Sequence, residues 1–271
     1  MGDLLQVQKR ERGVIMYKRK RKGFTLIELL VVISVIAVLM SLMMPALGKA
    51  KAAVKDSMDL SNQHQFGLFW KLYTDEHDGK FPERGSGSNP WGDETMNCWP
   101  YVLYNYMPSM NEKIWMCPSA TKPLASGGRH PFAAWSSGGS GVTVYASYTI
   151  NLWVSNEPGT TYWCTPNVKG AAFAPMVVCG TWKDMEPYES DEPWATREEM
   201  VEFGWEPSAN EMKRACNDRH GLHVNSSFLD LSAGKIGVKH LWRTRWNRQW
   251  DMTAPLPIWP PWMAKFTNPE W

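Results

Sequence analysis

The chain has 271 residues, of which 44% are hydrophobic and 21% charged, a composition that is ordinary for a folded protein of one domain or two small ones. The net charge of +2 hides an asymmetry: residues 1–23 contain eight lysines and arginines against two acids and carry +6, so residues 24–271 carry −4. The basic character therefore belongs to the N-terminal segment, and the rest of the chain gives no reason to expect a nucleic-acid partner.

An apolar segment of 20 uncharged residues runs from Leu29 to Gly48. As a helix rising about 1.5 Å per residue, it would span about 30 Å, the thickness of the hydrocarbon core of a bilayer. It exceeds the apolar part of a secretory signal peptide, and no small-residue cleavage site follows it. A buried helix of a soluble protein is the other alternative. The five basic residues from Lys18 to Lys22 favour a membrane anchor with a cytoplasmic N-terminus.

Glu28 is the one acid inside this region, one helical turn after Phe24. A lone carboxylate within a membrane costs on the order of a few kcal/mol unless it is neutralised or paired, so such a residue indicates a function. The nearest cation is Lys22. A new α-amino group at Phe24 would be a more suitable partner, but it requires cleavage after Gly23.

The segment from Lys22 to Ile33, KGFTLIELLVVI, resembles the class III signal of type IV prepilins and type II secretion pseudopilins, and the likeness covers roughly residues 16–50. The resemblance implies that a prepilin peptidase cuts after Gly23 and that Phe24 becomes the N-methylated first residue. A start at Met16 would leave an eight-residue leader, the compact form typical of that family, and a start at Met1 is the alternative.

The resemblance also implies roles in assembly. Glu28 would pair with the Phe24 amino group of a neighbouring subunit, Thr25 belongs to the same assembly segment, and Pro45 matches a proline that kinks or locally melts the membrane helix. The implied partners are prepilin peptidase, other pilin-like subunits, further copies of this chain and the inner membrane. No cofactor, metal or enzymatic activity is implied.

Beyond Pro45 the pattern still predicts a helix, with Asp56 and Asp59 expected on its surface. Its apolar residues recur at near-heptad spacing: Leu47, Val54, Met58, Phe66, Phe69 and Tyr73. The helix should end near residues 75–79, where Asp78-Gly79 predicts a turn. The acidic residues there lack the alternating spacing of a calcium loop, which favours a solvated helix end over a metal site.

The remaining chain predicts an α+β fold, pilin-like, with one long N-terminal helix packed on a small antiparallel sheet with long loops. Strands are expected at 145–153 and 176–179, a β-hairpin at 224–229 and 235–241, and a short helix at 192–203. The predicted organisation is a leader at 1–23, a transmembrane and assembly helix at 24–48, an amphipathic helical half at 49–78 and a periplasmic globular domain at 79–271.

This domain resembles, more weakly, a pilin-like family common in planctomycete, verrucomicrobial and lentisphaeral bacteria. The matching pieces are Trp115-x-Cys117-Pro118-Ser119, then Ser147-Tyr148-x-x-Asn151, then His220-Gly221 followed by Asn225-x-x-Phe228-x-Asp230. Members of that family usually carry Asp-Gly-His at the last position. Here Asp230 is followed by Leu231 and Ser232, which predicts a longer hairpin loop.

All five cysteines follow the apolar segment, in the part of the chain expected outside the cytoplasm, where disulfides can form. Cys98–Cys117 and Cys164–Cys179 are predicted local bridges that leave Cys216 free, with buried free thiols as the alternative. The absence of Cys-x-x-Cys weakens a zinc interpretation. His220 and His223 with Asp230 could form a metal or catalytic cluster, but Gly221 argues against the helix that would bring the two rings together, so core or loop histidines are favoured.

The 16 tryptophans motivate a second functional hypothesis, an inner-membrane-anchored periplasmic binding protein whose exposed indoles stack on a ligand such as a carbohydrate. Trp242, Trp246 and Trp250 recur every four residues and would line one face of a helix. The simpler interpretation is that these rings fill the core. Glu28 favours the first hypothesis, a structural subunit of a type II secretion pseudopilus or type IV pilus, because a plain anchor has no use for an acid there.

Overall fold

A computed structural model describes residues 25–85, 99–107, 112–122, 130–139, 142–202 and 210–269. Among these residues the chain forms a long helix α1 (Leu26–Glu76) and two short helices, α2 (Trp99–Tyr104) and α3 (Arg197–Glu202). By its contacts the chain divides into two compact units, with the boundary between Gly48 and Lys49.

In the described ranges, seven strands form two sheets. Strands β1 (Trp135–Gly139) and β2 (Val142–Ala146) form an antiparallel pair. The larger sheet contains β3 (Tyr148–Asn151), β4 (Pro175–Cys179), β5 (Asp184–Met185), β6 (His223–Phe228) and β7 (Ala233–Gly237), in the order β5-β3-β4-β6-β7. All its pairs are antiparallel except β3 with β5. The predicted α+β layout, one long helix packed on a small sheet with long loops, is confirmed.

Several predicted boundaries shift for local reasons. The expected strand at 145–153 is two strands, because Ser147 leaves the ladder: its amide donates to the Trp115 carbonyl (3.0 Å) and its hydroxyl to the Ala120 carbonyl (2.8 Å). The expected helix at 192–203 begins at Arg197, after Thr196, whose hydroxyl caps the helix by accepting a hydrogen bond from the Glu199 amide (3.0 Å). Phe203 lies outside the described residues.

The predicted hairpin forms between β6 and β7, and its turn shows what replaces the usual glycine. Leu231 takes a left-handed conformation, with φ of 70°, a region that a leucine rarely adopts. The Leu231 amide donates to the Phe228 carbonyl (2.9 Å), which closes the turn.

Helix α1 packs on the sheet through its C-terminal part, where Gln63, Phe66, Trp70 and Tyr73 are buried. Phe66 and Tyr73 were expected in the apolar stripe, but Leu47, Val54 and Met58 are exposed. Asp59, expected on the surface, is completely buried. The buried face is therefore partly polar, which the apolar spacing did not reveal.

The structure supports the simpler interpretation of the tryptophans and not the alternative of an exposed stacking platform: Trp242, Trp246 and Trp250 lie in the core, almost fully buried. They do not form one helical face, because the 3₁₀ helix that contains Trp242 ends at Arg243. Many indoles serve the loops, since their N–H groups donate to backbone carbonyls at 2.6–3.1 Å: those of Trp99, Trp135, Trp153, Trp163, Trp194, Trp242, Trp246 and Trp262. The high tryptophan content is thus explained by a loop-rich interior whose carbonyls need donors.

Gly67 lets α1 approach the turn after β6. A methyl group at this position would lie 2.8 Å from the Leu231 carbonyl oxygen, a backbone atom that cannot easily move aside. We therefore expect Gly67→Ala to lower the free energy of unfolding by about 1–3 kcal/mol, although alanine usually favours a helix over glycine. Urea denaturation of the chain in mild detergent measures the change.

Gly48→Ala is the matched control, because nothing lies within 4 Å of its added methyl group and it occupies the same helix. This variant should be as stable as the wild type or slightly more so. A Gly67→Ala variant that matched the control would contradict the described packing of α1.

Candidate functional site

The N-terminal part of α1 is an exposed apolar rod. Every residue from 25 to 55 is exposed, including a run of leucine, isoleucine, valine and methionine side chains. Among the described residues, α1 is long and apolar enough to cross a membrane, judged by length and composition. A soluble protein rarely leaves so large an apolar surface without a partner, so this segment indicates a membrane or protein interface.

Thr25 and Glu28 form a capping box at the start of α1. The Glu28 carboxylate accepts hydrogen bonds from the Thr25 amide and hydroxyl, both at 2.8 Å, and the Glu28 amide donates to the Thr25 hydroxyl at 3.2 Å. The sequence had suggested no good local partner for Glu28, and the structure supplies Thr25. Gly23 and Phe24, the expected cleavage and methylation positions, lie outside the described residues.

Pro45 lies inside α1, which stays helical on both sides of it. Ser34 and Ser41 donate their hydroxyl hydrogens to carbonyls one turn earlier, Val31 and Val38, at 2.8 Å each. The serine hydroxyls therefore find their hydrogen-bond acceptors within the helix. Glu28 remains the single acid of the apolar region.

A second group of chemically active side chains is buried where α1 meets the sheet. Asp59, Cys117, Cys179 and His220, here termed the thiol–histidine cluster, present one ligand atom each within 4.8 Å of one another. Asp59 comes from α1, Cys179 ends β4, Cys117 follows a 3₁₀ helix, and His220 precedes β6. Sequence analysis missed this cluster, although two of its members lie in the motifs around Cys117 and His220.

Hydrogen bonds between distant segments hold the cluster residues in place. Ser147, between β2 and β3, accepts a hydrogen bond from the Cys117 amide at 2.9 Å, which fixes that segment against the sheet. Tyr148 donates its hydroxyl hydrogen to Asp59 Oδ1 at 2.7 Å, and Asn225 donates to Asp59 Oδ2 at 2.8 Å. The buried carboxylate is thereby oriented toward His220.

The histidine is the centre of the cluster. His220 Nε2 lies 3.3 Å from the sulfur of Cys117, 3.3 Å from the sulfur of Cys179 and 3.2 Å from Asp59 Oδ2. Its other nitrogen, Nδ1, lies 3.2 Å from Asp56 Oδ1. His223 also contacts Asp56, at 2.9 Å, so the two histidines share this carboxylate.

The cluster shifts the titration of its members. Burial lowers the pKa of His220, but hydrogen bonds to Asp59 and Cys117 and the charge of Asp59 outweigh it and raise the pKa to about 9. Burial raises the pKa of Cys117, yet Cys179, His220 and Arg219 together lower it to about 6. Burial, followed by the contact with Cys117, raises the pKa of Cys179. The Cys117 thiolate is therefore the favoured anion of the pair.

A thiolate beside an imidazole could suggest a catalytic nucleophile, but access argues against that role. Both sulfur-bearing residues are completely buried, and the His220 side chain is only 2% exposed. A substrate cannot reach them in this conformation, whereas catalytic cysteines are at least partly exposed.

The predicted Cys164–Cys179 disulfide is absent from the structure, in which both residues are free thiols. Cys117 is also a free thiol, and its predicted partner Cys98 lies outside the described residues. Cys164 and Cys179 were paired because they are close in sequence. Instead, the Cys179 sulfur lies in the thiol–histidine cluster, while the Cys164 sulfur lies 3.4 Å from the Glu157 carbonyl. Asp230, considered with the histidines, is exposed and accepts hydrogen bonds from Ser232.

Comparison with known proteins identifies one family signature. Residues 18–44 match the family described as the prokaryotic N-terminal methylation motif, which includes the Lys22–Ile33 segment and most of the exposed apolar part of α1. No curated protein and no solved structure matched the chain. The prepilin-like signal expected from the sequence is thereby confirmed.

Tyr148→Phe tests the buried anchoring of Asp59. The variant removes the hydroxyl that donates to the carboxylate and leaves a buried acceptor short of one hydrogen bond, so we expect the free energy of unfolding to fall by about 1–3 kcal/mol. Tyr145→Phe is the matched control, because Tyr145 lies in β2, three residues before Tyr148, and is exposed. Equal stability of the two variants in urea denaturation would show that the hydroxyl does not support Asp59.

Proposed function

We propose that this chain is a pilin-like structural subunit of a type II secretion pseudopilus or type IV pilus. In this proposal a prepilin peptidase cleaves it after Gly23, and the N-terminal part of α1 then mediates assembly with other pilin-like subunits and further copies of the chain. The observation that carries the proposal is the match of residues 18–44 to the methylation motif, on a helix whose apolar side chains are exposed from Leu26 to Val54.

The helix fits two successive environments. Before assembly, its apolar surface would lie in the inner membrane, with the basic residues Lys18 to Lys22 keeping the N-terminus cytoplasmic and the globular domain periplasmic. After assembly, the same surface would pack against equivalent helices of neighbouring subunits. Both environments remove the exposed apolar side chains from water, and an apolar surface of this size is stable only when it is so covered.

Glu28 supports assembly over simple anchoring. A capping box needs a side-chain acceptor at this position, and glutamine would serve that purpose as well as glutamate. The negative charge is therefore additional to the cap, and it is costly inside a membrane. An N-terminal ammonium group on Phe24 of an adjacent subunit would compensate the charge and set the register between the two helices.

Processing is tested by the intact mass of the chain purified from its native host's membranes, together with sequencing of its N-terminal peptide. We expect a chain that begins at N-methylated Phe24, and we expect Gly23→Val to accumulate in uncut form. A wild-type chain that begins at Met1 or Met16 would overturn the proposal and leave a membrane-anchored domain.

Assembly is tested by Glu28→Gln, which keeps the acceptor of the cap and removes the charge. We expect normal cleavage and normal amounts in the membrane fraction, with filaments lost from the sheared, pelleted fraction. Ser41→Ala is the matched control, a polar change in the same apolar segment, and should assemble normally. Wild-type filament yield from Glu28→Gln would contradict the role of the charge.

A further inference from the structure

The contacts of His220 exceed what its hydrogen bonds can explain. Nε2 has three neighbours at 3.2–3.3 Å: the sulfurs of Cys117 and Cys179 and an oxygen of Asp59. An imidazole nitrogen carries either one proton or one lone pair, so it can make one good hydrogen bond and not three. Three electron-rich atoms at nearly equal distance from one ring nitrogen are the arrangement expected when all four atoms surround one bound ion.

We propose that Asp59, Cys117, Cys179 and His220 bind one zinc ion. With bonds of about 2.3 Å to sulfur and about 2.0–2.1 Å to nitrogen and oxygen, the ligand atoms of a tetrahedral site lie roughly 3.3–3.8 Å apart. The three contacts of Nε2, at 3.2–3.3 Å, are close to that spacing, and all four ligand atoms lie within 4.8 Å of one another. A modest closing of the wider pairs would complete such a tetrahedron.

The ligand types select zinc. Two thiolates with one imidazole and one carboxylate form a mixed soft and borderline donor set, which suits zinc better than magnesium or calcium, ions that prefer oxygen ligands. All four positions are filled by the protein, the pattern of a structural site and not of a catalytic one.

The charges of the site balance with a divalent ion. Asp59 and two thiolates are three negative groups, and beside them the buried Arg219 guanidinium, a fixed positive group, donates to Cys179 Sγ at 2.9 Å. The remaining charge of minus two equals what one zinc ion neutralises. Buried charges require such compensation.

Outer contacts resemble those that support metal ligands. A metal-bound histidine commonly donates its second N–H to a carboxylate, and His220 Nδ1 lies 3.2 Å from Asp56 Oδ1. Asp56 is itself held by Asn225 at 2.8 Å. The Ser119 amide approaches Cys117 Sγ at 3.4 Å, as a donor to a thiolate would.

The ion would join segments that are distant in sequence. Cys117 and His220 are 103 residues apart, and Asp59 and Cys179 are 120 residues apart. Zinc would therefore fasten α1 to the sheet and to two loops at one point, as a disulfide framework does in small secreted domains. This inference does not depend on the proposed function.

The test uses the full chain, purified in mild detergent with a thiol reductant and without added metal, and measures its metal content. We expect about one zinc per chain. Removal with a strong chelator should lower the midpoint of thermal denaturation, and Zn²⁺ alone should restore it. Co²⁺ added to the metal-free chain should give the visible bands of a tetrahedral site and thiolate-to-cobalt charge transfer.

Variants assign the ligands. Cys117→Ser and Cys179→Ser should each lose the zinc and the cobalt charge-transfer band, while Cys164→Ser, the matched control outside the cluster, should retain both. Asp56→Asn should weaken zinc binding by about 10- to 100-fold without abolishing it, as expected of an outer carboxylate. If a cysteine variant fails to fold, the cobalt spectrum of the wild-type chain decides.

Two results would overturn the inference. One is a reduced wild-type chain that contains no zinc, gains no thermal stability from Zn²⁺ and shows no tetrahedral cobalt spectrum. The other is a Cys117–Cys179 disulfide in chain that is alkylated directly in its host without reductant, since a disulfide removes both thiolate ligands.

Discussion

Asp59 carries a carboxylate that is completely buried between α1 and the sheet, and the docking of the helix depends on how that group is satisfied. Burial raises the pKa of Asp59, but hydrogen bonds from His220, Tyr148 and Asn225 lower it overall, so the group remains charged. A buried charge is tolerated only where such partners converge with good geometry. The carboxylate therefore fixes one rotation and one translation of α1 relative to the strands that supply those partners.

The interface of α1 with the sheet has two chemically different parts. At Asp59 and Gln63 it is polar, and Gln63 exchanges hydrogen bonds with the backbone of β6: it donates to the Asn225 carbonyl at 3.3 Å and accepts from the Ser227 amide at 3.1 Å. Within one turn after Gln63 it becomes aromatic, where Phe66 packs edge-on against Trp99 and Tyr148 with ring centroids 5.5 and 5.0 Å apart. The aromatic part contributes burial without strong direction, and the polar part selects the register.

Whether a feature can be predicted from the sequence depends on how far apart in the chain its interacting residues lie. The prepilin-like signal, the end of α1 near Glu76 and the β6–β7 hairpin depend on neighbours within a few residues, and they were predicted. The cluster was not, because Cys117, Cys179 and His220 come together only through the packing of separate segments. The wrong pairing of Cys164 with Cys179 has the same origin, since sequence proximity replaced the unknown sheet geometry. The polar residues on the buried face of α1 were assigned to the surface because polarity usually indicates exposure.

The position of the cluster along α1 has a mechanical consequence. From residue 25 to residue 55 the helix is exposed, and Asp56 is its first residue that is not. A load on the exposed part would be carried through the backbone of α1 and would reach the globular domain first at Asp56 and Asp59. Hydrophobic packing alone resists such a load weakly at its edge, because the outermost side chains lose little area as they separate. Directional bonds at that edge resist separation from the first displacement. Two sets of directional contacts lie at this edge, where separation under load would begin. They are the ion pair between Asp56 and Lys235 and the contacts of Asp59 with the thiol–histidine cluster.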